Sequence, residues 1–268
     1  MPRDLAITAL YTAETWAWGG LPCAQLFASA EGRRVFDVTN AALAIARVID
    51  PRPQLRHALL QRHAMIDRIV RSSPTRRVIE LAVGLSRRGA TLSADPTFDY
   101  IEIDVPHVIA HKRRLLERSA AGRVVLARPN LQLVAGDVLV DALPARTPAV
   151  VVAEGLAMYL AGDARRALFA RVRALGDVEL VFDLTPASDE PPPGAIGRAL
   201  ERAMKRFTGG QAFERDARTR DDVVAELGAA GFADARAIAA RDVARDWQLP
   251  FADRATPVVI FVARATRS

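Results

Sequence analysis

Cysteine is almost missing. Cys23 stands alone in 268 residues, so no intrachain disulfide can form and no thiolate metal site is possible. Lysine is nearly as scarce: Lys112 and Lys205 are the only two among 37 basic residues, and arginine carries the net charge of +6. The arginines are scattered among 31 acids rather than gathered in a block, so no nucleic-acid partner is expected. Long apolar runs are absent too. None reaches the ~18 residues of a membrane helix, and no membrane partner is expected. The opening Met-Pro-Arg-Asp lacks the continuous apolar core of a secretory signal, which points to a cytoplasmic protein. What remains is ordinary globular composition, 50% hydrophobic and 25% charged. That is enough to bury a core without staples, as a monomer or a homodimer.

The chain divides by pattern. Residues 1–74 read as a helical cap: Thr8 to Trp18 ends at Gly19-Gly20, Val35 to Val48 stops at Asp50-Pro51, and Leu55 to Val70 has helical apolar spacing. From residue 75 to 268, short apolar strands alternate with helices. Strands are expected at Arg77–Ala82, Tyr100–Asp104, Leu131–Ala135, Ala149–Ala153, Val178–Leu184, Ala233–Ala239 and Pro257–Ala263. Helices are expected from Pro106 to about Ser119, from an N-cap at Asp163 to Leu175, from Ala195 to Phe207, and from Thr219 to Ala230. This alternation implies an α/β fold, a parallel sheet with helices on both faces. The proline-rich stretch within residues 186–210 suits a substrate lid, and the whole is expected to form one unit.

In such a sheet, ligands bind at the carboxyl ends of the strands, near the point where strand order reverses. Acids occupy those ends here: Glu80 in the first strand, Asp104 closing the second, Asp137 after the third and Glu154 after the fourth. Ala82 and Gly84 make a tight turn that lets backbone approach a ligand. Asp104, twenty residues past Gly84, suits the ribose hydroxyls of an adenosine-containing cofactor, with Asp137 and Val138 near its adenine. A nicotinamide dehydrogenase would use the same first turn. Arg87 stands where the third small residue of Gly-x-Gly-x-x-Gly belongs, which disfavours that reading and the open helix N-terminus a pyrophosphate needs. A basic binding module without chemistry is a further alternative.

Three segments together, Val78-Ile-Glu-Leu-Ala-Val-Gly-Leu85, Tyr100-Ile-Glu-Ile-Asp-Val-Pro106 with Lys112, and Glu154-Gly-Leu-Ala-Met-Tyr-Leu160, resemble the leucine carboxyl methyltransferase family, which includes O-methyltransferases of polyketide biosynthesis. Arg62-His-Ala-Met-Ile-Asp67 resembles its arginine-bearing helix. The resemblance implies a Rossmann-like seven-stranded sheet with the last strand antiparallel, S-adenosylmethionine as cofactor, and a small-molecule acceptor. By that resemblance Arg62 takes the methionine carboxylate, Glu154 the ammonium, Asp104 with Val105 the ribose, and Asp137 with Val138 the adenine; Glu80, Ala82 and Gly84 line the methionine end. Ala82, Ser86 and Arg87 depart from the family's Gly-Ala-Gly-Leu-Asp-Thr-Arg, which points to a subgroup with its own substrate. Tyr159, just past Glu154, and Tyr11 in the cap are the candidate residues for orienting the acceptor. The expected reaction is O-methylation of a carboxylate or hydroxyl, with N- or S-methylation as the alternative on the same scaffold. No metal is expected, since His107 and His111 lack a third ligand nearby.

Overall fold

In the computed structural model, residues 3–47, 55–186, 188–189, 218–254 and 256–265 are described. The expected helix at 195–207 and most of the proposed lid lie outside these residues. Three helices come first: α1 (Arg3–Trp18), α2 (Ala30–Arg47) and α3 (Leu55–Ser72). The alternating part follows as β1 (Arg77–Leu81), α4 (Arg88–Leu92), β2 (Asp99–Asp104), α5 (Pro106–Glu117), α6 (Ala120–Leu126), β3 (Leu131–Ala135), β4 (Ala149–Ala153), α7 (Gly162–Arg173) and β5 (Val178–Asp183). After the undescribed segment come α8 (Arg220–Ala229), β6 (Asp234–Ala239), α9 (Ala240–Val243) and β7 (Val259–Ala265). The sheet order is β3-β2-β1-β4-β5-β7-β6. Pairing is parallel from β3 through β5, and β7 runs antiparallel to both β5 and β6. Strand order therefore reverses between β1 and β4, and in open α/β sheets ligands bind outside the carboxyl ends of the strands at such a point.

Strand parity sorts the side chains between two layers. Ile79, Leu81, Val151, Ala153, Leu180 and Phe182 face one layer, packed with Leu168, Phe169 and Val172 of α7 and Val223 and Leu227 of α8. Val78, Tyr100, Val150, Val152 and Val181 face the other, against Met65, Ile66, Ile69 and Val70 of α3. Helix α3, grouped by its sequence with the cap, thus covers a face of the sheet, because its apolar stripe is the partner that face needs. The rest of the cap leans on the sheet edge: Leu10 and Ala13 of α1 pack with Leu85, Ala90 and Leu115.

One expected helix cap is replaced and one is observed. Asp163 sits in the first turn of α7, not at its N-cap, which is Ala161 and makes no side-chain cap bond. Thr219 does cap α8, in a reciprocal box with Asp222. Helices α6 and α9 were not anticipated; at seven and four residues they are too short for a periodic signal.

Candidate active site

The parity that builds the core also builds the site. Glu80 shares a face of β1 with Val78, and Asp183 shares a face of β5 with Val181, so both acids look toward α3. Glu154, one residue past β4, joins them. Opposite stand Arg62, His63 and Asp67 on α3 and Arg87 and Arg88 at the start of α4.

Arg88 is the hub. Fully buried, it donates from Nε to Asp67 Oδ1 at 2.7 Å, from Nη1 to Glu80 Oε1 at 2.5 Å and from Nη2 to Glu154 Oε2 at 2.6 Å. Burial alone would lower its pKa, but the Glu80, Glu154 and Asp67 carboxylates raise it well above the usual value. Arg62 donates from Nε to Glu154 Oε1 at 3.0 Å and from Nη1 to Asp183 Oδ2 at 3.1 Å. Arg87 closes the network by pairing with Asp67. His63 Nδ1 lies 2.9 Å from Glu154 Oε2, and burial lowers its pKa, so it is neutral at pH 7. Burial would push the Glu154 carboxyl up, yet His63, Arg88 and Arg62 hold it well below the ordinary range. Three guanidiniums thus face four carboxylates, a formal charge of one negative.

The turn after β1 is simpler. Asp104 Oδ2 accepts from Gly84 N–H and Oδ1 from Val105 N–H, both at 2.7 Å. Each oxygen keeps a lone pair for a ligand hydroxyl. Ala82 (φ 50°) and Gly84 (φ 53°) both adopt the left-handed conformation, so the turn is the sharp one a close backbone approach requires. A Cβ on Gly84 would meet only Ala9 Cβ, at 3.6 Å, which leaves the space above the turn open. Lys112 holds the turn from behind by donating to the Ser86 carbonyl at 2.7 Å and pairing with Glu102 at 2.6 Å. After β3, Asp137 is exposed and spends only Oδ1 on the chain, accepting from Leu139 N–H at 2.9 Å.

Arg62, Ala82, Gly84, Asp104, Val105, Asp137 and Glu154 therefore line one edge of the sheet. Three anticipated residues play other parts. Both Glu80 oxygens are taken, by Arg88 and by the Tyr100 hydroxyl at 2.6 Å, because parity turns this side chain toward α3. Glu80 anchors Arg88 and is buried beneath the site, out of a ligand's reach. Val138 is buried in the layer shared with Ile103 and Leu168 and offers no face to a ring. Tyr11 is buried between α1 and α2, where it stacks on Phe36 and reaches Asn40 at 3.3 Å. Its hydroxyl is committed to the cap. Tyr159 is 38% exposed and hydrogen-bonded to Thr8, at the mouth between the cap and the strand ends. His63, Asp67, Arg88 and Asp183 were not anticipated. Their signal is a charged residue inside an otherwise apolar helix face or strand.

A family model described as leucine carboxyl methyltransferase matches residues 21–173. The chain belongs to that family. S-adenosylmethionine is accordingly its cofactor. The tetracenomycin polyketide synthesis O-methyltransferase TcmP of Streptomyces glaucescens is 34% identical over 107 residues, which are 40% of this chain and 38% of that protein. The likeness to this family relative thus spans well under half of its length. Among solved structures, one described as a possible exported protein from Bordetella parapertussis aligns with 98% of this chain and 96% of its own, at 18% identity and TM-score 0.58. PigF with SAH aligns with 78% of this chain and 58% of its own, at 16% identity and TM-score 0.52. At such identities these two establish the fold alone, the family's Rossmann-like seven-stranded sheet with one antiparallel strand.

The residues present fit that cofactor. The open turn at Gly84 admits a ligand against backbone, Asp104 offers two acceptors beside it, and the net charge of the cluster is opposite to that of the cofactor. No described helix is long and apolar enough to cross a membrane.

Proposed function

We propose that this chain transfers a methyl group from S-adenosylmethionine to a carboxylate oxygen of a small molecule. The observation that carries the reading is the charge of the buried cluster. Three arginines and four acids leave one negative charge at the methionine end. The cofactor brings a sulfonium and an ammonium against one carboxylate, a net charge of +1. After transfer the sulfonium charge is gone, so the cluster favours the reactant cofactor over its product.

The cofactor supplies a methyl already activated on sulfur, so the protein has to hold the acceptor in line at ~3 Å and keep water out. Asp104 and the Gly84 turn hold the nucleoside half. Arg62 offers Nη2, which makes no hydrogen bond to another described residue, to the methionine carboxylate. Tyr159 and Thr8 border the mouth from which the acceptor comes. Among the described residues no base for a phenol or alcohol is poised there: His63 is enclosed with Nδ1 engaged, and burial raises the Tyr159 phenol. A carboxylate, with a free pKa near ~4, arrives ionised and needs none. Its charge and that of the sulfonium cancel in the transfer, so a drier site lowers the barrier. The O-methyltransferase relative supports oxygen as the acceptor atom.

The test uses cofactor labelled in its methyl group and a panel of aromatic and aliphatic carboxylic acids beside matched phenols and amines. Methyl esters release labelled methanol in alkali, whereas ethers and N- or S-methyl products do not. Alkali-labile label with the acids is expected; label that stays bound after alkali would replace the carboxylate reading with another acceptor atom.

A further inference from the structure

Asp183 closes β5, outside the segment that the family model matches, and it is buried. Its Oδ1 accepts from Gly155 N–H at 2.5 Å and its Oδ2 from Arg62 Nη1 at 3.1 Å. It is thus the one side chain among the described residues that touches both the turn after Glu154 and the arginine on α3. Arg62 spends Nε on Glu154, so its remaining side-on donor is Nη2. With Nη1 released, that edge is free to close on Glu154 as a bidentate pair, which takes Nη2 away from the ligand. Gly155 completes the arrangement. At φ 67°, it would place a Cβ 3.3 Å from Arg62 Nη2 and 3.5 Å from Nη1, so only glycine lets the guanidinium lie over the turn.

We propose that Asp183 is a positioning residue that fixes which edge of the Arg62 guanidinium meets the carboxylate of the cofactor's methionine end, and holds the Gly155 amide in the same frame. This deepens the reading above and rests on it. Asp183→Asn is the informative change. Asparagine still accepts from Gly155 N–H through its amide oxygen, but its NH₂ faces Arg62 donor to donor, so the turn is kept and the arginine is released.

The experiment is calorimetric titration of the full chain with S-adenosylmethionine and with its decarboxylated analogue, which keeps the nucleoside, the sulfonium and the ammonium. The wild type is expected to prefer the carboxylate-bearing cofactor by about tenfold or more, the worth of one charge-assisted hydrogen bond. In Asp183→Asn that preference is expected to fall to within about threefold. In Asp104→Ala both ligands are expected to weaken together with the preference intact, since Asp104 serves the ribose common to both. A change that merely loosened the fold would lower both affinities without touching their ratio. Wild-type preference in Asp183→Asn therefore overturns the inference, while absence of binding to the wild type overturns the cofactor reading beneath it. Should the asparagine variant fail to fold, Asp183→Glu carries the test on the same ratio, its longer arm displacing Nη1.

Discussion

Replacing Arg88 with methionine keeps most of its bulk and removes the charge that three buried carboxylates share. Asp67 retains Arg87, Glu80 retains the Tyr100 hydroxyl, and Glu154 retains Arg62 and His63, so each keeps a partner while the cluster gains a second uncompensated negative charge. Removing one partner of a buried ion pair costs about 3–5 kcal/mol. With an unfolding entropy of ~2.1 cal/mol/K per residue, a chain of 268 residues should lose about 5–9 °C of melting temperature. The pH dependence is the sharper test. In the wild type, Asp67 and Glu154 are held below their ordinary pKa values of 3.8 and 4.5, so their contribution to stability is lost as pH falls below that range. Without Arg88 their pKa values rise toward the unfolded ones, so the variant loses less stability than the wild type as pH falls through that range. The gap in melting temperature between Arg88→Met and the wild type should accordingly narrow between about pH 5 and about pH 3. Thermal melts across that range decide it: a loss under about 2 °C, or a gap that widens on acidification, would refute the hub role.

Other changes test separate parts. Ala82→Gly relieves a left-handed alanine and should raise stability by about 1 kcal/mol, read as a shift of about 2 °C in the melting temperature; a decrease would mean that the turn is unstrained. Gly155→Ala should weaken S-adenosylmethionine at least tenfold in titration, because its Cβ would crowd Arg62 at 3.3 Å; wild-type affinity would deny that the guanidinium lies there. The Glu102 carboxyl is raised by burial from 4.5 to about 7 against the opposing pull of Lys112. A raised acid is stabilising below its unfolded pKa and loses that stability as pH rises, so the wild type should lose stability between pH 4.5 and about 7 relative to Glu102→Gln. Parallel pH profiles for the two proteins would contradict this.

Much of the fold was legible because strand runs of five or six apolar residues leave few alternatives. Leu131–Ala135 and Ala149–Ala153 are observed at the expected residues. The line of Asp104, Asp137 and Glu154 along one edge was legible too, since each acid ends a strand or follows it directly. The network behind that edge was not. Asp183 lies inside the run Val178 to Leu184, where an acid passes for a strand end, and its partner Arg62 is 121 residues away. Glu80 looked like a member of the ligand edge until parity showed that it shares a face with Val78 rather than with the turn. Tyr11 was misjudged because a one-dimensional reading of α1 does not reveal that α2 packs over it, with Phe36 and Asn40 against the ring. Ser86 is buried; its carbonyl accepts from Lys112 and its hydroxyl oxygen accepts from Arg88 N–H at 3.2 Å, so backbone and side chain together hold the turn.

The most direct test of the central claim is calorimetric titration of S-adenosylmethionine into the full chain and into Asp104→Ala. One site is expected in the wild type, with affinity about a hundredfold lower once the two ribose acceptors are removed, at the usual worth of charge-assisted hydrogen bonds. A wild type that releases no heat, or an Asp104→Ala variant that binds as tightly, would contradict the assignment of the β1–β4 crevice as the cofactor site.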